Sequence, residues 1–349
     1  MRLERLWPRR HLIQTLTAAA AACRVWTLGR ADETTGTDDP VTDTANNAEI
    51  PSFGMPTLGG RQFWGDVHFS CGFKIQRNVF SGHYRLLDPD DRRFASGTLS
   101  DCEAMLKRLR QARQLQPETG HVVIGIHGIG RSSKSLSPIL SVLPQDQFTT
   151  RGFEYPSTRV TIVQAADYLH SVIESLTDAT QISFVVHSMG GLVVRRYLKD
   201  HRDPRLHRLV MLGTPNNGAE LADMLKRNIL FRAIYGPAGQ ELTTGPEGAG
   251  SQLPVPDFEF GIIAGGCSND IGFNRLLPGD NDGTVTIASA KLAGAADFMV
   301  VPVLHSFLMS DPAVISAARS FLESGRFAQP ADAAAQDAAV DDSAKQPTD

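Results

Sequence analysis

Between residues 120 and 324 apolar and polar positions fall into two alternating patterns. Val122-Val123-Ile124-Gly125-Ile126, Ile182–Val186, Leu206–Leu212, Phe260–Gly265 and Phe298–Val303 are short, continuous apolar runs. Runs of this kind predict strands buried on both faces. Phe148–Tyr155 reads as a further strand, stopped by Pro156. Val160, Val163, Ala166, Leu169, Val172, Ile173 and Leu176 recur at helical spacing. Helices are also expected over Ser135–Leu143, from the residue after Ser188 to Lys199, and over Pro312–Leu322. Strands alternating with amphipathic helices predict an α/β protein, with a mostly parallel central sheet and helices on both faces. Ligands of such sheets bind beyond the carboxyl ends of the strands. His127, Ser188, Thr214 and His305 all follow a predicted strand, so one sheet edge gathers them.

The flanking segments read differently. Residues 1–30 have the layout of a signal or anchor segment, with Arg9-Arg10 ahead of an Ala-rich run from Leu12 to Ala22. The paired arginines resemble a twin-arginine signal, and Ala20-Ala21-Ala22-Cys23 resembles a lipoprotein cleavage site. The run is too short and too polar for a membrane span. Export or membrane association is therefore favoured over the cytoplasm. Residues 31–58, rich in Thr, Asp, Asn, Gly and Pro, read as a linker. Residues 59–119 form an N-terminal extension, with a hairpin expected over Arg61–Arg85 and a helix over Asp101–Gln114. The alternating strand–helix pattern fills 120–324, and 325–349 reads as a solvated tail. Ala219–Asp257 joins two strands and is the one candidate for a cap, apolar from Met224 to Tyr235 and loop-like from Gly236 to Pro256.

Composition narrows the function. An apolar fraction of 42% is enough for a core, and a net charge of −4 gives no reason to expect nucleic acid as a partner. The four cysteines are far apart and form no metal or disulfide framework, although a single Cys71–Cys102 bridge is left open. The strongest chemical signal is Val186-His187-Ser188-Met189-Gly190-Gly191, a serine at the apex of a predicted strand–turn–helix. This is the layout of a nucleophile elbow, with Val186 where the first glycine of Gly-x-Ser-x-Gly stands. A serine hydroxyl needs a base within reach and a third group to orient that base. Of the ten histidines, His305 is the choice, since it lies between the last strand and the last helix. His187 is expected to point away from Ser188, and His127 to shape the His127-Gly128 turn. The orienting acid is sought between serine and histidine, where Asp282 heads an Asp-Gly step. Asp280 is the alternative and Asp270 a more distant one. The backbone N–H groups of Ile129 and Met189 are the candidate oxyanion donors, and Gly190 gives the elbow its steric room.

Taken in order, His127-Gly128-Ile129-Gly130-Arg131-Ser132, Phe153-Glu154-Tyr155-Pro156-Ser157, His187–Gly191, Leu212–Gly218 and Asp282-Gly283-Thr284-Val285 resemble the α/β-hydrolase superfamily. The resemblance is to its bacterial lipase/esterase-like members, related to triacylglycerol lipases. It implies an α/β-hydrolase fold and carboxylic ester hydrolysis without metal or organic cofactor. It also implies Ser188 as nucleophile, Asp282 as acid, His305 as base, and Ile129 and Met189 as oxyanion donors. The expected partner is a small-molecule or lipid ester, with peripheral membrane contact left open. The alternatives are an acyltransferase or phospholipid deacylase on the same triad, or a non-catalytic binding protein of this fold.

Overall fold

The computed structural model describes Met55 and residues 61–225, 236–244 and 248–328. The expected signal segment, most of the linker and the chain from 329 onward lie outside the described residues. So does most of the apolar stretch from Met224 to Tyr235.

Ten strands are described, in two sheets. β1 (Trp64–Ser70), β2 (Phe73–Asn78), β3 (Tyr84–Leu87) and β4 (Arg93–Gly97) form an antiparallel sheet in chain order. The hairpin expected over Arg61–Arg85 is therefore part of a four-stranded sheet. α1 (Leu99–Arg113) covers it, packing Cys102, Leu106 and Leu109 against Phe73, Ile75, Leu86 and Phe94. Thr98 starts this helix with a capping box, its hydroxyl accepting from Asp101 N–H and the Asp101 carboxylate accepting from Thr98 N–H. Cys71 and Cys102 are both free thiols, so no bridge joins them. Cys102 is buried in this small core.

The larger sheet is parallel and runs β10-β9-β8-β7-β5-β6. Its strands are β5 (Gly120–Ile126), β6 (Phe148–Phe153), β7 (Ala179–His187), β8 (Leu206–Leu212), β9 (Glu259–Gly265) and β10 (Asp297–Val301). α2 (Ser137–Leu140), preceded by a 3₁₀ turn at Ser133–Leu136, replaces the longer helix expected there. α3 (Ile162–Ser175), α4 (Met189–Asp200) and α8 (Pro312–Ser324) are the long covering helices. Alternate strand residues serve opposite faces. Val122, Ile124 and Ile126 pack with α3 and α4, whereas Val123 packs with the α2 and α8 side. This two-sided burial is why the strands read as unbroken apolar runs.

Between β8 and β9 the chain forms α5 (Glu220–Leu225), a helical stretch at 236–241 and α6 (Ala249–Gln252). Part of Gly236–Pro256, expected to be loop, is thus helical. After β9 a loop leads to α7 (Ile287–Ala290) and then β10. Gly325 ends α8 in a left-handed conformation (φ 78°), and Phe327 returns into the core against Phe321. Residues 325–328 thus belong to the folded body and not to a tail. Among the described residues no helix is long and apolar enough to cross a membrane.

Candidate active site

The site begins at the end of β7. Ile182–His187 is buried throughout, and the chain then turns through Ser188 at φ 55°, ψ −125°. A non-glycine residue held there is strained by roughly 1–3 kcal/mol and persists only where its surroundings enforce it. They do so here: Ser188 N–H donates to Leu212 O at 2.8 Å, and α4 starts at the next residue. A Cβ on Gly190 would come within 2.5 Å of Ile126 O, and one on Gly191 within 2.4 Å of Thr214 Oγ1. Both glycines are therefore steric requirements of the turn. Val186, in the position of the first motif glycine, is buried among core residues on the α3–α4 face.

His305 opens a 3₁₀ turn (His305–Ser310) after β10. Its Nδ1–H donates to Asp282 Oδ2 at 2.7 Å, and its backbone N–H donates to Asp282 O at 2.9 Å. Asp282 is almost fully buried, and its other oxygen accepts from Thr284 N–H (2.9 Å) and Val285 N–H (2.7 Å). Every carboxylate oxygen is thereby satisfied. Gly213, at φ 55°, makes room for the pair, since a Cβ there would lie 3.0 Å from His305 Nδ1 and 3.1 Å from Asp282 Oδ2. Asp280 is occupied elsewhere, accepting from Cys267 N–H and Ser268 N–H, and Asp270 is exposed. Asn281 holds the loop between them by donating to the Ile271, Asn274 and Gly279 carbonyls.

Gly128 and Ile129 form the turn after β5, beside the serine. A Cβ on Gly128 would lie 2.9 Å from both Ser188 Cβ and His187 Nδ1, so only glycine lets this turn approach the elbow. His127 is buried, stacks on Tyr155 with ring centroids 4.4 Å apart, and donates from Nδ1 to Gly128 O at 2.8 Å. Met189 is the first residue of α4, where a backbone N–H has no acceptor within the helix.

Ser188, His305 and Ile129 line one cavity of about 510 Å³, together with Leu221, Leu242 and Val285. Leu221 and Leu242 come from the segment between β8 and β9, so this segment forms part of the cavity wall. His187 also lines the cavity, against expectation. Its Nε2–H donates to His305 O at 3.1 Å, and its ring centroid is 4.7 Å from that of His305. The strand bends sharply at the elbow, so simple alternation fails at its last residue. Burial holds the His187 imidazole well below its ordinary pKa, helped by the neighbouring His305 and Arg131, so the ring is neutral.

This arrangement defines an α/β-hydrolase-fold protein: a parallel sheet in this order, an elbow serine after β7, and an acid–imidazole pair beyond the later strands. Residues 110–231 match the family model described as alpha/beta hydrolase fold. That stretch includes the elbow and the His127-Gly128 turn, while Asp282 and His305 lie beyond it. No curated protein matches the chain. Among solved structures, the mature form of the lipase BlEst2 from Bacillus licheniformis is 19% identical, with a TM-score of 0.44. That match covers 59% of this chain and 91% of the lipase. The metagenomic carboxyl esterase MGS0156 is also 19% identical, with a TM-score of 0.40, covering 64% of this chain and 76% of that one.

Proposed function

We propose that this protein is a serine hydrolase of carboxylic esters, lipidic ones in particular, acting through an acyl-enzyme. The observation that carries the reading is the 2.7 Å His305–Asp282 hydrogen bond on the same cavity as the strained Ser188. In this scheme His305 Nε2 takes the proton of Ser188 Oγ as that oxygen attacks the ester carbonyl. Asp282 fixes the tautomer with the proton on Nδ1 and stabilises the imidazolium that forms. The Ile129 and Met189 N–H groups receive the charge on the tetrahedral oxygen, each contributing roughly 3 kcal/mol. His305 then returns its proton to the departing alcohol, and water repeats the sequence in reverse to free the acid.

An apolar wall of Ile129, Leu221, Leu242 and Val285 favours an acyl chain over a small polar group. With p-nitrophenyl esters, activity should rise from acetate to medium-chain esters. A fluorophosphonate probe tests the core of the reading, because it should label Ser188 and no other residue. Labelling that persists in Ser188→Ala, or folded wild-type protein that stays unlabelled, would overturn it.

A further inference from the structure

The N-terminal sheet has no place in the chemistry above, yet Gln62, just ahead of its first strand, bonds the turn that presents Ile129, and Asp66 on that strand connects to the turn through Glu154 and His127. We infer that the N-terminal sheet, with the residues that lead into it, is the positioning element of the oxyanion turn, acting through Gln62 ahead of β1 and Asp66 on β1. The inference rests on the serine hydrolase reading.

The downstream side is held by Gln62, which precedes β1. Its Nε2–H donates to Arg131 O at 2.9 Å. Its Oε1 accepts from Ser157 Oγ–H at 3.2 Å and from Thr158 Oγ1–H at 3.1 Å. Ser157 Oγ in turn accepts from Gly130 N–H at 3.0 Å. One amide side chain therefore fixes both residues that follow Ile129.

The upstream side is held through a buried polar chain. Asp66 and Glu154, the residue after β6, bond twice: Asp66 N–H donates to Glu154 O at 2.8 Å, and Glu154 N–H donates to Asp66 Oδ2 at 2.7 Å. Asp66 Oδ1 accepts from Gln76 Nε2–H, and Gln76 Oε1 accepts from Arg85, so the chain is anchored across β1, β2 and β3. Glu154 Oε2 accepts from Ser133, and Oε1 faces His127 Nε2 at 3.4 Å. Both of these last atoms are buried and are not aligned for a hydrogen bond with each other or with any described group. An ionised Glu154 only accepts, and its Oε1 faces the one ring nitrogen of His127 that Gly128 O leaves free. The other nitrogen of that ring donates to Gly128 O. Gly128 O and Ile129 N–H belong to one planar trans peptide and point in opposite directions. Holding the carbonyl by His127 therefore aims the N–H.

The decisive variants are Gln62→Ala, on the half-buried rim, and Glu154→Leu. Active sites are counted by fluorophosphonate titration. Then kcat and KM are measured on a p-nitrophenyl ester, with Ki for a trifluoromethyl ketone that mimics the tetrahedral state. Misaiming one donor should lower kcat per active site about tenfold to 100-fold and raise Ki by the same factor, with KM changed less than about twofold. Glu154→Gln should stay close to wild type, because its amide keeps the same length, still accepts from Ser133 and still sets a polar group against His127 Nε2. If Gln62→Ala and Glu154→Leu lower only the titrated fraction and thermal midpoint, with per-site kcat and Ki unchanged, the inference fails. The same holds if kcat falls without a matching change in Ki. Neither result touches the hydrolase reading, which stands or falls on Ser188 labelling.

Discussion

Asp282 and Asp280 are two residues apart and have unrelated duties. Asp282 Oδ2 receives the imidazole N–H, while Asp280 ties together the backbone of Cys267 and Ser268. Under the proposed mechanism, Asp282→Asn keeps an acceptor for Thr284 and Val285 but loses the carboxylate that orients His305. Turnover should fall on the order of 10⁴-fold with the fold retained, as judged by circular dichroism and ester kinetics. Asp280→Asn should lower the thermal midpoint and leave turnover within a few-fold. A reversal of the two results would place the acid at Asp280. The sequence could order these candidates because an Asp-Gly step before the last strand is visible in it. It could not place His187, since the backbone direction at an elbow is set by φ 55° at the next residue and not by strand alternation.

At the scale of elements, the six parallel strands were legible because both of their faces are apolar and leave unbroken runs in the sequence. The N-terminal sheet was legible only in part. Asp66, Gln76 and Arg85 sit opposite one another across β1, β2 and β3 and are buried, which breaks the apolar alternation that marks a half-buried strand. α4 carries a second feature hidden from pattern reading. Arg195 is buried in the elbow helix, and its guanidinium donates to the backbone carbonyls of Asn216, Gly250, Leu253 and Pro254. Burial alone pushes its pKa down to about 10. The helix that starts just after the serine thus holds the end of the segment that walls the cavity. Lysine has one nitrogen and no fork, so Arg195→Lys leaves several of these buried carbonyls unpaired, at about 1–3 kcal/mol each. The expected outcome is a lower thermal midpoint and faster limited proteolysis between residues 236 and 256. Unchanged proteolysis would mean that the segment is held by other contacts.

For the whole molecule, four buried or half-buried histidines weaken the fold as pH falls below about 6.5. His121, buried first of all and then repelled by His207 and Arg208, has its pKa lowered to about 4. His68, His187 and His207 are shifted in the same direction, each chiefly by burial. A histidine with a depressed folded pKa contributes stability above its unfolded value near 6.5, and that contribution is lost as pH falls towards the folded value. Asp66 and Glu241 work the other way: burial raises both carboxyls, Asp66 to about 6, so their contribution declines as pH rises above about 4. Four histidines against two carboxyls predict a thermal midpoint that falls between pH 6.5 and 4, and a shallower fall in His121→Gln. A midpoint constant over that range in calorimetry would contradict this balance. The strained serine sets a different relation between stability and use. Replacing Ser188 by glycine removes a conformation that costs roughly 1–3 kcal/mol, less about 0.5–1 kcal/mol for the added freedom of the unfolded chain. Ser188→Gly should therefore melt higher than Ser188→Ala, by about 2 °C per kcal/mol gained, while hydrolysing nothing. Any selection of this chain for heat resistance alone would drift away from serine at the one position where its proposed chemistry needs it.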